Sequence, residues 1–422
     1  MVDQTLLLLH VDMFVLDLKQ LVTSGNRTNF WSLVYAIREA LGLEGVHTTG
    51  CPEYGRLQAL QVGNATPSLI LAPALFYSQH VARAIFATRL YQRKEMPGRD
   101  LNLLSLDGGG VRGLSSLYTL QRIMESIDPE DPPKPCDYFD MIGGTSTGGL
   151  IAIMLGRLRM TIDECIQAYI ELSEEIFHKK RRIPVNAKGD LKERYDSKTL
   201  EIAIKKVIRS RDMDEDALLK DPQGTKVGET STTALLRSYH STRGANDLYR
   251  TVRIWEAARA TSAASTFFDP IQIGENGQRF LDGGTVANNP VRQLWGEAVD
   301  MIDQQALTND LNCLISIGTG EPSYKGFDDT VMGIVNTLSS IATETEETAN
   351  SFHQEQSRLF DKRVCYRYNV PRGMGDIGLA ETEQRAAIKS MTDAYLQSEL
   401  IQSSMRSCVR VLKQRQCTSD FA

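Results

Sequence analysis

The sequence predicts an α/β fold with three layers, α/β/α, a mainly parallel central sheet and a helical C-terminal extension. The first observation is that short apolar runs, such as 101–106 and 311–317, have the composition of fully buried strands. The second is that glycine clusters end these runs, and the third is that helical periodicity alternates with them. This alternation is typical of a parallel sheet that is covered on both faces.

The composition is that of an ordinary folded protein, and its charge balance argues against one class of partner. Of the 422 residues, 41% are hydrophobic and 24% are charged, which excludes the disordered, collagenous and repeat-built classes. The 47 basic and 53 acidic residues leave a formal net charge of −6, so the chain has no overall positive field to hold nucleic acid. Nucleic acid is therefore not expected as a partner.

Cysteine usage and hydropathy indicate the compartment. The seven cysteines are an odd number without a C-x-x-C pair, which predicts neither a disulfide framework nor a zinc site. No run reaches the roughly 18 uncharged apolar residues of a spanning helix, and the apolar start of the chain lacks the features of a signal peptide. We expect a cytoplasmic protein without a transmembrane segment, which associates with membranes peripherally.

The chain divides into three parts at changes of pattern. Residues 1–98 contain one amphipathic helix, 31–41, and no recognisable chemistry, so their role is unknown. The breaker cluster at 97–100 precedes clear α/β alternation, which defines a core over 99–305. Residues 306–422 supply a further strand and helices that complete or extend this core.

Within the core, the elements follow one another as strand, turn and helix. The strand 101–106 ends at three glycines, and the next helix begins at Ser115 or Ser116, whose hydroxyl can cap it. A second strand at 138–142 leads to helix 150–158, which is apolar nearly all round and is therefore predicted to be buried on the sheet. Further strands are predicted at 251–255, 279–281 and 311–317, and further helices at 331–342 and 381–396.

A serine stands in the turn between the second strand and its helix. The segment Gly144-Thr145-Ser146-Thr147-Gly148 has the G-x-S-x-G form of a nucleophile elbow. Gly144 and Gly148 permit the tight turn, and the N-terminus of the helix behind Ser146 favours a developing oxyanion. The alternative is a Ser/Thr/Gly helix cap without a catalytic role.

A glycine-rich loop follows the first strand. Gly108, Gly109 and Gly110 present bare N–H groups that can converge on an oxyanion, and Arg112 can orient the loop or attract an anionic substrate. The spacing also satisfies G-x-G-x-x-G, so a dinucleotide site is the alternative. Against it, the acidic residues about 20 positions further on lie in a proline-rich loop and not at the end of a strand.

A serine nucleophile needs a base, and two candidates follow it in the chain. Asp282 precedes two glycines after a short strand, where a turn can present it, although Asp-Gly is also an ordinary turn dipeptide. An unperturbed aspartate is a weak base, so burial must raise its pKa or the geometry must be tight. His353 is the only histidine after Asp282 and allows a Ser…Asp…His triad, against the simpler interpretation of an exposed surface histidine.

One basic run contrasts with the acidic composition of the chain. It comprises 178–184, with five potential cations, and continues with Lys188, Lys192 and Arg194. Its two interpretations are a solvated charge run and a patch that docks on anionic phospholipid. In the second case each cation contributes about 1 kcal/mol near the surface.

In their order, these motifs resemble the patatin-like phospholipase family, over roughly residues 100 to 300. The matching pieces are the loop from Asp107 to Gly113, the elbow around Ser146 and the segment that begins with Asp282. Residues 260–265, Ala-Thr-Ser-Ala-Ala-Ser, are similar to a family segment that usually ends in proline, so Ser265 is a departure. The resemblance is strongest to the calcium-independent phospholipase and patatin branches.

The resemblance implies a lipid acyl hydrolase of the phospholipase A, lysophospholipase or triacylglycerol lipase type, which forms an acyl-enzyme. Ser146 would be the nucleophile, Asp282 the base of a Ser–Asp dyad, and Gly108 to Gly110 with Arg112 the oxyanion loop. No metal and no cofactor are implied, and the substrate would be lipid at a membrane or lipid-droplet surface. The alternatives are a non-catalytic lipid-binding or interaction module on the same fold, and a Ser-Asp-His esterase for small soluble esters.

Overall fold

The computed structural model describes residues 101–419, with gaps at 178–194, 222–223, 232–233, 242–246, 265–266, 286, 303, 322–344, 372 and 375–376. These residues belong to a structural unit that runs from Gly98 to Ala422. The helices predicted at 31–41 and 331–342, the basic run at 178–194 and Ser265 lie outside the described residues.

A six-stranded sheet runs through the described residues. The strands are β1 (Leu101–Leu106), β2 (Met141–Thr145), β3 (Lys226–Ser231), β4 (Ala234–Arg237), β5 (Ile271–Ile273), β6 (Gln278–Phe280), β7 (Leu311–Ile317) and β8 (Cys365–Tyr368). The order in the sheet is β4-β3-β2-β1-β7-β8, and every neighbouring pair is parallel except β3 and β4. β5 and β6 form a separate antiparallel hairpin. The carboxyl ends of β1, β2 and β7 therefore meet at one edge of the sheet.

Helices pack on both faces of this sheet. Those of the described residues are α1 (Gly113–Ile127), α2 (Pro135–Tyr138), α3 (Thr147–Ala152, continued by a π-helix over Ile153–Arg157), α4 (Ile162–Phe177), α5 (Ser197–Arg209), α6 (Asp247–Thr251), α7 (Ile254–Thr261), α8 (Val291–Ile302), α9 (Gln304–Asp310), α10 (Glu346–Glu355), α11 (Ser357–Asp361), α12 (Arg385–Gln397) and α13 (Glu399–Ser419).

The alternation of side chains along β1 divides the core into two clusters. Leu104 and Leu106 belong to the larger cluster, with buried residues of α1, α3, α4, α5, α7, α12 and α13. Leu101 and Leu103 belong to the second cluster, with buried residues of α8 to α11. Successive residues of a strand face opposite sides, so each cluster marks one face of the sheet. The predicted three-layer α/β/α fold with a mainly parallel sheet and a helical C-terminal region is confirmed.

The segment predicted as a strand at 251–255 is the junction between helices α6 and α7, with one isolated β-bridge from Arg253 to Leu218, and the prediction of a strand is wrong. Val252 and Ile254 are both buried, and this spacing imitates the two-residue period of a strand. Helix α7 begins here instead, since the Arg253 N–H donates to the Glu256 carboxylate at 2.8 Å in a capping arrangement.

One helix and one strand begin at residues other than those predicted. Helix α1 begins at Gly113, and neither predicted serine caps it; Ser116 Oγ donates instead to the Gly318 carbonyl at 2.8 Å. Strand β2 begins at Met141 and not at residue 138, because Pro135 opens the short helix α2.

The described residues lack three features that would suggest other classes of protein. No helix among them has the length and apolarity to cross a membrane. They contain no group of three His, Cys, Asp or Glu side chains arranged to hold a metal ion. Their five cysteines with described side chains are buried and form no disulfide: Cys136, Cys165, Cys313, Cys365 and Cys408.

Candidate active site

Ser146 occupies a strained turn between β2 and α3. Its φ of 53° and ψ of −122° lie in a region that costs about 1 to 3 kcal/mol, so the surrounding structure must hold it there. A Cβ at Gly144 would stand 2.0 Å from the Gly148 carbonyl oxygen, and one at Gly148 would stand 2.1 Å from that of Leu106. Only glycine permits this close approach, and the turn presents Ser146 at the carboxyl edge of the sheet, as in a nucleophile elbow.

Asp282 lies beside Ser146, although 136 positions separate them along the chain. The Ser146 hydroxyl donates to Asp282 Oδ2 at 2.6 Å, and the Gly284 N–H donates to Oδ1 at 2.6 Å. Burial raises the pKa of the Asp282 carboxyl from 3.8 to about 6, and the two hydrogen bonds oppose this rise. The carboxylate is therefore a better proton acceptor than an ordinary aspartate, and the hydroxyl is already bonded to it.

Gly108, the first glycine of the loop, is committed to structural hydrogen bonds. Its carbonyl accepts from Thr319 Oγ1 at 2.8 Å and from Asn288 Nδ2 at 3.3 Å. Its N–H donates to the Asn288 carbonyl at 3.0 Å. Gly108 therefore anchors the loop, and its N–H is not available to an oxyanion.

Gly109 and Gly110 have N–H groups without a backbone acceptor among the described residues. Their carbonyls are held by neighbouring side chains: Arg112 Nε donates to Gly109 at 3.3 Å, and the Tyr169 hydroxyl donates to Gly110 at 2.6 Å. Gly110 lines the same pocket as Ser146. The loop thus has two N–H groups without a backbone acceptor among the described residues, and one of its glycines, Gly110, lies at the pocket of Ser146.

Arg112 is buried against the loop that it follows. Its side chain is 3% exposed, and both its N–H, at 3.2 Å, and its Nε, at 3.3 Å, donate to the Gly109 carbonyl. Burial lowers the pKa of the guanidinium to about 10, so it remains protonated at neutral pH. Of the two roles predicted for Arg112, this geometry supports orientation of the loop and not attraction of an anionic substrate.

An apolar pocket opens beside Ser146 and Asp282. It has a volume of about 70 Å³ and is walled by α3, α4, α5 and the segment that follows α7. Among the described residues that line it, Asp282 is the only charged one. Its other lining residues include Leu150, Leu172, Ile176, Leu200, Phe267 and Phe268. An apolar lining of this kind suits the acyl part of a lipid.

Two residues from the C-terminal part of the chain support the loop and were not predicted. Thr319 bonds the Gly108 carbonyl, as described above. Arg367 on β8 donates to Asp107 Oδ2 at 2.6 Å and to Glu346 Oε1 at 2.7 Å. The sequence Gly318-Thr319-Gly320 after a buried strand marks a turn at the sheet edge and could have indicated Thr319. No local pattern indicates Arg367.

The structure places His353 apart from the pair formed by Ser146 and Asp282. His353 is exposed on α10, and its ring centroid lies 4.1 Å from that of Phe360. The two oxygens of Asp282 are bonded to the Ser146 hydroxyl and the Gly284 N–H. The geometry therefore gives no support to a triad through His353.

Comparison with known families finds a match over the span that contains these residues. Residues 104–295 match the family model described as patatin-like phospholipase, and this span includes the loop, Ser146 and Asp282. Over this span the chain is similar to the patatin-like phospholipases.

Several named proteins are similar to this chain. The human calcium-independent phospholipase A2-gamma is 29% identical over 344 residues, which cover 76% of this chain and 41% of that protein. Patatin-like protein 4 of Arabidopsis thaliana is 28% identical over 53% of this chain and 60% of its own length. The cGAMP-activated phospholipase of Vibrio cholerae is 32% identical over 45% of this chain and 55% of its own length. The chain thus spans about two fifths of the length of the human relative.

Proposed function

We propose that the protein is a lipid acyl hydrolase, a carboxylic ester hydrolase in which Ser146 is the nucleophile and Asp282 the general base. The observation that carries this proposal is the 2.6 Å hydrogen bond from Ser146 Oγ to Asp282 Oδ2 at the wall of an apolar pocket. The family match, and relatives whose names state that they are phospholipases, support a lipid ester as the substrate.

In the first half of the reaction, Ser146 Oγ attacks the carbonyl carbon of the ester while its proton passes to Asp282 Oδ2. The N–H groups of Gly109 and Gly110 stabilise the negative charge that develops on the carbonyl oxygen. As the tetrahedral intermediate collapses, the bond to the alcohol oxygen breaks and Asp282 returns the proton to that oxygen. The products are the free alcohol and an acyl-enzyme on Ser146.

In the second half, water replaces the alcohol. Asp282 takes a proton from the water as its oxygen attacks the acyl carbonyl, and the same two N–H groups stabilise the second oxyanion. Collapse breaks the bond to Ser146 Oγ, which recovers its proton from Asp282, and the carboxylic acid leaves. A pKa of about 6 suits both steps, because Asp282 is ionised at neutral pH and still accepts a proton readily.

The pocket supports a substrate whose acyl group is apolar next to the ester carbonyl. Its wall is apolar apart from Asp282 and a few neutral polar groups, so the first part of the acyl chain would pack against it and the headgroup would remain outside. We therefore place the substrate among glycerophospholipids, lysophospholipids and triacylglycerols. The protein would meet them at a membrane or lipid-droplet surface, to which it binds peripherally from the cytoplasm.

The test is fluorophosphonate labelling with mass-spectrometric mapping, beside fatty acid release from phosphatidylcholine vesicles and emulsified triacylglycerol. We expect the label on Ser146, and a loss of at least about a thousandfold in kcat for both Ser146→Ala and Asp282→Asn. Ser238→Ala is the matched control, because this buried serine accepts the Val227 N–H at 2.9 Å and does not line the pocket. It should retain both labelling and fatty acid release.

A different result would contradict each part of the proposal: catalysis, the lipid substrate and the identity of the base. A folded wild-type protein that is neither labelled nor active would favour a non-catalytic lipid-binding module on the same fold. Labelling of Ser146 with hydrolysis of small soluble esters only would refute the lipid substrate. Loss of activity in His353→Ala would indicate a Ser-Asp-His triad esterase instead, because a Ser–Asp dyad does not need this histidine.

A further inference from the structure

Thr319 follows β7, outside the family match over 104–295, and contacts the glycine loop. Its Oγ1 donates to the Gly108 carbonyl at 2.8 Å, and its side chain is 3% exposed. A Cβ at Gly109 would stand 2.1 Å from the same Oγ1, so Gly109 packs directly on this side chain. Thr319 therefore touches two of the three glycines of the loop.

The hydrogen bond to Gly108 fixes the direction of the next N–H. The described residues contain no cis peptide bond, so the Gly109 N–H points opposite to the Gly108 carbonyl across the peptide plane. Because Thr319 holds that carbonyl, the Gly109 N–H is directed to the other side of the loop. Asn288 Nδ2 approaches the same carbonyl at 3.3 Å, so Thr319 makes the shorter of the two side-chain hydrogen bonds.

Thr319 is itself held on both sides by the end of β8. The Gly318 N–H donates to the Tyr368 carbonyl at 2.8 Å, and the Gly320 N–H donates to Asn369 Oδ1 at 2.7 Å. Gly320 has a φ of 98°, a conformation that favours glycine, and this completes the turn. Fixed supports of this kind are what keep a preorganised donor in place.

We propose that Thr319 is a positioning residue, which aims the Gly109 N–H at the oxyanion formed when Ser146 attacks. This inference rests on the proposed hydrolase function. A donor must stand about 2.7 to 3.1 Å from the oxyanion, so a rotated peptide between Gly108 and Gly109 weakens the transition state more than the ground state. Loss of the Thr319 hydroxyl therefore lowers kcat and leaves KM nearly unchanged.

The experiment compares T319V, T319S and T225V in the full chain, with p-nitrophenyl dodecanoate as the substrate. T319V removes the hydroxyl and keeps the shape, whereas T319S keeps the hydroxyl. T225V is the matched control, since it removes a buried hydroxyl that donates to the Cys136 carbonyl at 2.7 Å in the turn before β3. We expect kcat to fall about ten- to a hundredfold in T319V only, with KM within about twofold of wild type.

Hydrogen exchange of the peptide 107–113 gives a readout that does not depend on turnover. Its amides should exchange faster in T319V than in T225V and T319S, because the loop loses one of its supports. Faster exchange of this peptide in T319V alone would show an effect on the loop. Faster exchange in T225V as well would show a general loss of stability.

The results distinguish a failure of the role of Thr319 from a failure of the proposed hydrolase function. T319V with the kcat of T225V, an effect confined to KM, or unchanged exchange of the loop would overturn the role of Thr319. T319S that is folded and as impaired as T319V would also overturn it, because the hydroxyl would then not be the group that matters. A wild-type protein that hydrolyses no ester would refute the hydrolase function, and with it this role, before any variant is compared.

Discussion

Arg367 Nη2 lies 2.6 Å from Asp107 Oδ2, and this buried ion pair joins β8 to the residue that precedes the glycine loop. The same nitrogen lies 2.7 Å from Glu346 Oε1. Asp107 Oδ1 has no hydrogen-bond partner among the described residues, so the guanidinium is the main stabilising partner of this carboxylate. A buried pair is costly to break from one side, because the remaining charge is left without compensation.

Replacement of Arg367 by methionine should lower both stability and activity. The free energy of unfolding should fall by about 3 to 5 kcal/mol, since Asp107 and Glu346 lose their cation. The kcat should fall as well, because the loop loses an anchor at its first residue. Chemical denaturation and ester hydrolysis under folding conditions measure the two effects.

The matched control for this variant is Arg237→Met. Arg237 on β4 makes a partly buried bidentate pair with Glu297, at 2.5 and 2.7 Å, and β4 lies at the other edge of the sheet from β8. Its loss should destabilise the protein to a similar degree and leave kcat unchanged. Equal losses of kcat in the two variants would argue against a specific effect of Arg367 on the loop.

Activity should rise with pH through about 6. Asp282 must be ionised to accept the proton of Ser146, and burial raises its pKa to about 6, so kcat/KM should fall about tenfold per pH unit well below that value. Asp107 titrates in the same range, because burial raises its pKa to about 6 in spite of Arg367. A pH profile of Asp107→Asn separates the two: the ascending limb should persist. A limb that vanishes in this variant would assign the titration to Asp107.

Two glycine substitutions should affect different properties of the protein. Gly109→Ala places a Cβ 2.1 Å from Thr319 Oγ1, so the loop must shift and kcat should fall about a hundredfold or more. Gly296→Ala in α8 meets no atom within 4 Å and should stabilise the helix by about 0.5 to 1 kcal/mol without a change in kcat. Thermal unfolding and ester hydrolysis check both. Full activity in Gly109→Ala would mean that the loop does not work as an oxyanion site.

A larger side chain in the pocket should change the preferred acyl length. Ile176 lines the pocket and is 6% exposed, so Ile176→Phe reduces the space for an acyl chain and costs about 1 to 3 kcal/mol of stability. The ratio of kcat/KM for dodecanoyl and butanoyl esters should fall about tenfold or more. Ile202→Phe makes the same change on α5 at a site that is 59% exposed, and should leave the ratio unchanged. An unchanged ratio in both variants would show that the acyl chain binds elsewhere.

The centre of the fold could be predicted because buried parallel strands and their glycine turns are local patterns. β1 and β7 have the predicted bounds, 101–106 and 311–317. The strand at 251–255 could not be predicted correctly, because the spacing of two buried residues fits a strand locally and the capped helix is decided by packing. The division at residues 98 and 305 remains a prediction.

The candidate site was predictable in part for the same reason. Ser146 and the loop glycines stand in turns with a clear strand before them, and Asp282 stands before two glycines. These neighbouring residues made all of them recognisable as candidates from the sequence. Their catalytic roles remain predictions. Thr319 and Arg367 act on the loop through the register of β7 and β8 beside β1, and no periodicity within a short window contains that information.

The hydrogen bond between Thr319 and Gly108 closes a separation of 211 positions along the chain. During synthesis, β1, β2 and the serine turn leave the ribosome long before the two strands that brace the loop. Pairings of such long range are slow to form, since the entropy of the intervening chain must be lost first. A nascent chain that ends before β8 would therefore contain the serine turn without the contacts that hold the glycine loop. The order in which the strands are translated delays the moment at which this site can be completed.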